Sequence, residues 1–544
     1  MKLTVSTLVL ITLVAIASGG FRPLAGAISQ EDDTLRPVRP GEPGARAFWN
    51  THARRFIYPP AFELPRVDGA AKYRFTIKAG DGSDHTFTAD VPWADLSPVW
   101  KDITEGHTTL TVQGIDATGK NVGPVAEKVF YRSPAFSGKA GDPLKPYAQA
   151  GREGLRAIYE APHVQHWLEH GALDRKYQRY CYPNKIIGGL LRGMTAYSQV
   201  ADTDEHRAGA LKIARLTADY LMSLRFPADA AYAHVAPTYA LNVDKPARAV
   251  LTIDRERDRW LMVPSTIDAA LGFLDLYDVT RDQKYLDTAS QMADTLVKTQ
   301  ESDGTWPLMV DWQTGKPVAP QRMIPTWVIF YFDRLERQYG MEQYRDARAR
   351  AWKWIVDNPL KTYQWDAQFE DVILRPPYRN LAREQACDVA LLLLSDPKRT
   401  PQDVAQAEEL LRFAEDQFVV WKKPDPQAWT RATGRKNGME LWIAPCVLEQ
   451  YAVYGPVARS AAILINTYLK AHEVTQKPVY LEKARALGNG MLEGQAWLAE
   501  NHHGNGEIPT WNMTRAPINW LNNSFYAAES VLNLANHAAA ERRP

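Results

Sequence analysis

Between Thr362 and Asn380 the chain reads Thr-Tyr-Gln-Trp-Asp-Ala-Gln-Phe-Glu-Asp-Val-Ile-Leu-Arg-Pro-Pro-Tyr-Arg-Asn, a run of aromatics, acids and cations with the texture of a sugar site. Within it Tyr378 has Arg375 and Arg379 close on either side. A free tyrosine titrates near roughly 10, and a neighbouring guanidinium lowers that value. A tyrosine so placed can take the C5 proton of a uronate or protonate a departing glycosidic oxygen. Tyr451, in Glu449-Gln-Tyr451, and His234, on the irregular segment from Phe226 to Val263, are the other acid–base candidates. Elimination also needs a group that neutralises the substrate carboxylate, and Asn184, Arg322, Arg375 and Arg379 are of the right type.

Hydrolysis asks for something different. An inverting glycosidase needs two carboxyl groups roughly 6.5–9.5 Å apart with water between them. Glu370 or Asp371, paired with Glu440 or Glu449, are the candidates for that chemistry. Neighbouring residues diverge on any regular element, so Glu370 and Asp371 do not both serve one site, and a clamp from one of them to Arg375 is an equal alternative. Trp306, Trp365, Trp442 and Trp511 stand in loops or at helix ends, where they stack on sugar rings or fill the core. Asn380, Glu449, Asn523 and Arg322 complete the set of binding candidates.

These residues have to be positioned by helices. Pro376-Pro377 stops what precedes it, and the apolar-periodic run Leu381 to Leu394 follows. Tyr285, Ala289, Met292, Ala293 and Leu296 form one apolar stripe at helical spacing. The pattern repeats: Val279-Thr280, Tyr285-Leu286, Ala289 and Gln300 correspond to Val474-Thr475, Tyr480-Leu481, Ala484 and Gln495, and each copy runs into a Gly- and Pro-containing loop. A weaker copy spans His206 to Leu224. Such repeats read as helical hairpins, with inner helices beginning near Asn184, Pro264, Arg322, Tyr378, Arg459 and Asn519. Six or seven pairs close into an (α/α)6 or (α/α)7 toroid over residues 145–540, with a cleft where the inner helices start; an open solenoid is the competing architecture.

Upstream, residues 58–135 carry short alternating strands, among them Lys72–Lys78, His85–Ala89, Thr108–Gln113 and Glu127–Tyr131, which predict a small β-sandwich. Residues 28–57 read as a linker. Residues 1–27, with Lys2 and then an apolar run too short to span a bilayer, read as a signal peptide, so the expected location is secreted or periplasmic. With 64 Lys and Arg against 63 Asp and Glu, the chain has neither a basic footprint for nucleic acid nor a polybasic membrane anchor. Its three cysteines, Cys181, Cys387 and Cys446, allow at most one disulfide and lack zinc-ligand spacing. A monomer without cofactor or metal is expected.

The helical repeats, Trp365-Asp-Ala-Gln-Phe-Glu-Asp371, Tyr378-Arg-Asn380 and Glu449-Gln-Tyr451 resemble the (α/α)-toroid polysaccharide lyases of the alginate and glucuronan type, family 38 being nearest. The run from Trp100 to Gly119 resembles the later strands of a fibronectin type III-like module. The lyase resemblance implies β-elimination on an acidic, uronate-containing polysaccharide. A glycoside hydrolase of the same fold and a non-catalytic secreted glycan-binding protein are the alternatives.

Overall fold

A computed structural model describes residues 34–38, 53–245, 258–369, 382–422, 441–450, 455–502, 504, 506–514 and 520–541. The expected signal peptide and most of the expected linker lie outside these residues. No helix among them is long and apolar enough to cross a membrane.

Thirteen helices matter to the site: α1 Tyr147–Glu160, α2 Pro162–His170, α3 Gly188–Val200, α4 Asp204–Ser223, α5 Ser265–Thr280, α6 Gln283–Thr299, α7 Thr326–Tyr339, α8 Arg345–Asp357, α9 Glu384–Ser395, α10 Pro401–Phe418, α11 Ala458–Thr475, α12 Pro478–His502 and α13 Leu521–Glu541. Helices α3, α5, α7, α9, α11 and α13 each pack on the next, and α13 returns to α3, closing an inner ring of six. Outside it, α4, α6, α8, α10, α12 and α1 each back one inner helix. The chain is therefore mainly helical, with an (α/α)6 toroid of six hairpins rather than a solenoid, and its inner helices begin within a few residues of the six expected starts.

The hairpin repeat has a physical basis. Helices α5 and α11 both end on a non-glycine residue in the left-handed region, Arg281 at φ 56° and Gln476 at φ 57°, which turns the chain directly into the outer helix. The matched glutamines do the same job in both copies. Gln300 donates to the Gly304 carbonyl at 2.8 Å and to Ala347 of the neighbouring outer helix at 2.9 Å. Gln495 donates to the Gly506 carbonyl and, at 3.1 Å, to Ala150 of its own neighbour.

Three outer helices, α4, α6 and α10, carry side-chain caps: Thr203 accepts from His206 N, Asp282 from Lys284 N, and Thr400 and Asp403 form a capping box, whereas outer helices α1 and α8 carry none. Inner helices α3, α5, α7, α9 and α11 carry none. Residues at or just before their starts come together at one end of the ring. Ring closure depends on small residues. A Cβ on Gly151 of α1 would fall 2.6 Å from Leu532, and one on Gly189 of α3 would fall 2.8 Å from Asn522, so both glycines let α13 approach closely.

The N-terminal strands β1 Arg55–Phe56, β2 Lys72–Lys78, β3 Asp84–Ala89, β4 Gly106–Ile115 and β5 Asn121–Arg132 form one sheet in the order β1-β5-β4-β2-β3, with β1 parallel to β5 and the rest antiparallel. Among the described residues these strands make a single layer, whereas a sandwich needs two. Tyr73, Phe75, Ile77, Leu110, Val112 and Phe130 are buried on its inner face. That face is covered by Phe56, Phe62 and Trp100, with Phe56 edge-on to Phe62 at 5.6 Å and Trp100 stacked on Phe130 at 6.2 Å. Trp100 is thus a core residue, its Nε1 donating to Ile57 O.

The sheet is tied to the toroid through α10. Asp416 accepts the buried backbone N–H groups of Ile57 and Tyr58 at 2.7 and 2.9 Å. Asp416→Ala leaves both donors without their acceptor and is expected to cost about 2–4 kcal/mol. Urea unfolding measures this, and a midpoint like that of the parent protein would dismiss the tie.

Candidate active site

The uncapped inner-helix ends surround a cavity of about 690 Å³. All six inner helices, or the segments leading into them, contribute to its wall. Lys176, Tyr177, Gln178, Arg179, Tyr182 and Lys185 come from the segment before α3; Asp268 from α5; Thr326 and Trp327 from α7; Glu384 and Gln385 from α9, with Arg383 just before; Arg459 from α11; and Asn523 from α13, with Trp520 just before. Glu449 and Trp511 join from loops. Basic and acidic side chains share this wall with three tryptophans.

Arg459 organises the acidic side. Its Nη2 donates to Glu384 Oε1 at 3.0 Å, and its guanidinium lies 4.9 Å from the Trp327 ring and 4.5 Å from the Tyr526 ring. Asp268 is 4 % exposed and accepts from Tyr526 Oη at 2.8 Å, with Arg192 at 3.9 Å. Burial pushes the Asp268 carboxyl up from its ordinary value, against the opposing pull of Arg459 and Arg192. Tyr526 is likewise pushed well up by burial, although two arginines oppose it.

One helical turn below Glu384, Asp388 accepts from Thr326 Oγ1 at 2.8 Å and Trp327 Nε1 at 2.9 Å. Burial, reinforced by the Glu384 charge, pushes Asp388 up to about 7. Glu529 of α13 is also pushed up to about 7 by burial. Unfolded carboxyls titrate near roughly 4, so both groups bind protons more tightly in the fold. Their contribution to stability is complete below about 4 and is lost as pH rises through about 7. The melting temperature is accordingly expected to fall between pH 5 and pH 8, and Asp388→Asn to make that slope shallower; an unchanged slope would count against it.

The basic side is different in character. Arg179 lies 3.8 Å over the face of Trp520, with Lys185 at 4.9 Å from the same ring and Tyr182 against it at 5.6 Å. Burial lowers the Arg179 value from the ordinary arginine range.

Of the residues singled out in the sequence, Glu449, Trp511 and Asn523 line the cavity. Asn184 is buried behind it, donating to Ala236 O at 2.5 Å, while its neighbour Lys185 faces inward. Arg322 is engaged by Glu301 and Asp303, at 2.5 and 2.7 Å, and is not on the cavity wall. Trp306 is fully buried, its Nε1 bonded to Leu296 O, and Trp365 is fully buried as well, so neither is available for stacking. His234 occupies a left-handed turn at φ 64°, its N–H bonded to Phe226 O, and is not on the cavity wall. Glu370, Asp371, Arg375, Tyr378, Arg379, Asn380, Glu440 and Tyr451 lie outside the described residues.

Sequence reasoning passed over Asp268, Glu384, Asp388 and Tyr526. A usable signal existed: Asp268 interrupts the apolar run Ile-Asp-Ala-Ala-Leu, and Glu384 and Asp388 stand four apart before Val-Ala-Leu-Leu-Leu-Leu. Acids in helices apolar on nearly all sides are buried, and buried acids need partners or a task. Cys181, Cys387 and Cys446 are buried free thiols, and no group of three or more His, Cys, Asp or Glu among the described residues is arranged to hold a metal ion.

No protein-family model matches the chain, and no curated relative matches it. Solved structures similar to it include a family 76 glycoside hydrolase from a bovine Bacteroides thetaiotaomicron strain, at 12% identity and TM-score 0.45 over 86% of this chain and 93% of that one. Another is the cellobiose 2-epimerase of Spirochaeta thermophila, at 11% identity and TM-score 0.49 over 73% and 99%. A third is an unsaturated glucuronyl hydrolase specific for heparin, at 12% identity and TM-score 0.44 over 72% and 97%.

Proposed function

We propose that this protein is a glycoside hydrolase that cleaves an acidic, uronate-containing glycan in the cavity at the inner-helix starts. The observation that carries the reading is the acid pair Asp268 and Glu384 on one wall, with Arg459 between them. Their surroundings differ: Asp268 is buried, bonded to a tyrosine hydroxyl and pushed up, whereas Glu384 accepts directly from a guanidinium. Two carboxyl groups held in unlike environments are what a split of acid and base roles requires.

In this reading Asp268 donates its proton to the glycosidic oxygen as the C–O bond breaks. Glu384 takes a proton from the attacking water, whose oxygen forms the new bond to the anomeric carbon. Proton exchange with solvent restores both groups. Trp327, Trp511 and Trp520 supply flat apolar faces for sugar rings, and the cations balance the substrate's charge.

β-Elimination is the second reading. It needs a tyrosine made more acidic than usual, yet Tyr177 and Tyr526 are both pushed up by burial. Of the tyrosines expected for that role from the sequence, Tyr378 and Tyr451 lie outside the described residues. Incubation with alginate, glucuronan, pectate and glycosaminoglycans separates the two. Reducing ends without ultraviolet absorbance support hydrolysis, while absorbance from an unsaturated uronate would replace it with elimination.

A further inference from the structure

The cavity is divided by charge across the ring, and the division points to how a substrate is oriented. Glu384 belongs to the first turn of α9, and the segment carrying Lys176 and Arg179 leads into α3, three places away in a ring of six. The two groups therefore reach one cavity from elements three places apart in the ring. Arg179 and Lys176 line the cavity, and among the described residues neither has a carboxylate within ion-pairing distance, whereas Arg383 and Arg459 both face Glu384. The guanidinium carbon of Arg179 lies over the Trp520 ring, 3.8 Å from its centroid. A guanidinium held against an aromatic ring presents its N–H fork at lower entropic cost to a planar or tetrahedral oxyanion.

We infer that Arg179, held by Trp520 and assisted by Lys176, is the anion subsite that selects a carboxylate- or sulfate-bearing sugar in the cavity that Glu384 also lines. The placement of the reacting bond rests on the hydrolase reading above. The anion subsite itself is testable without turnover.

Calorimetric titration of the full chain at low salt with glucuronate, glucose 6-sulfate and glucose tests it. The parent protein is expected to bind one of the two anionic sugars at least about ten-fold more tightly than glucose, since a charge-assisted bidentate contact discriminates at that level. The tighter of the two identifies the anion as carboxylate or sulfate. Arg179→Gln is expected to bring anionic and neutral sugars within about three-fold of each other, and Lys176→Gln, at an exposed position, to give a smaller loss. Arg179→Lys keeps the charge but not the fork, and is expected to retain only part of the preference. Unfolding midpoints of each variant verify the fold. Equal binding of glucose and both anionic sugars by the parent protein would overturn the subsite, as would an Arg179→Gln variant with its preference intact. Asp268→Asn is expected to keep the preference. Selective binding that persists when no glycan is hydrolysed removes the hydrolase reading and leaves the subsite standing.

Discussion

Asp268→Asn is expected to lower kcat on an acidic glycan by about 10²- to 10⁴-fold, the usual worth of a positioned general acid. The change is nearly isosteric, and the amide oxygen still accepts from Tyr526 Oη, so the wall of the cavity keeps its shape. What disappears is the proton. Glycans with good leaving groups, such as aryl glycosides, need little protonation of the departing oxygen and should lose far less. Glu384→Gln is expected to give a comparable loss that does not depend on leaving group, because the water still has to be deprotonated. Steady-state rates on the two substrate types decide this. If Asp268→Asn turns over both at parent rates, Asp268 is not the acid.

The second large effect concerns stability and lies away from the cavity. Glu415 of α10 is buried and accepts from Lys483 Nζ of α12 at 2.5 Å, from Trp421 Nε1 at 2.9 Å and from Tyr58 Oη at 3.1 Å. Lys483 is itself only 7 % exposed. Lys483→Met removes the counter-charge but leaves the carboxylate in place, and breaking one side of a buried pair costs about 3–5 kcal/mol. Replacing both partners, Lys483→Met with Glu415→Gln, should recover much of that loss, because no charge then remains buried alone. A chemical-denaturation double-mutant cycle checks both statements. A loss below about 1 kcal/mol for Lys483→Met would mean that Glu415 is served by its neutral donors without the lysine.

Most of the scaffold was legible in the sequence because hairpin repeats leave a periodic record. Tyr285 and Tyr480 bury the same outer-helix face, and Gln300 and Gln495 pin the same kind of loop. Even the inner-helix starts fell close to their observed places, since prolines such as Pro264 and Pro325 stand just before them. The sandwich expectation met a single described layer because alternation predicts a half-buried strand and is silent on what covers it; here loops and Trp100 do. The acid wall was hidden for another reason. Polar, aromatic-rich loops carry the conspicuous signal, while Asp268 and Glu384 sit inside the first turns of apolar helices, where only the geometry of the ring turns them toward one cavity. Trp306 and Trp365 erred in the opposite sense: loop tryptophans with sugar-binding texture are spent on the core.

The seam between α1, α3 and α13 has a consequence for how the molecule is made. Helices α1 and α3 keep Gly151 and Gly189 open for a partner that lies more than three hundred residues later in the chain. Until α13 arrives, five hairpin layers can stack on one another but leave an unfilled gap in the circle, with the apolar flanks of α1 and α3 facing water. Contacts of such long sequence separation form late and slowly. The enclosure that gives the cavity its charged walls is thus the final act of folding, and the growing chain carries no working chamber before it.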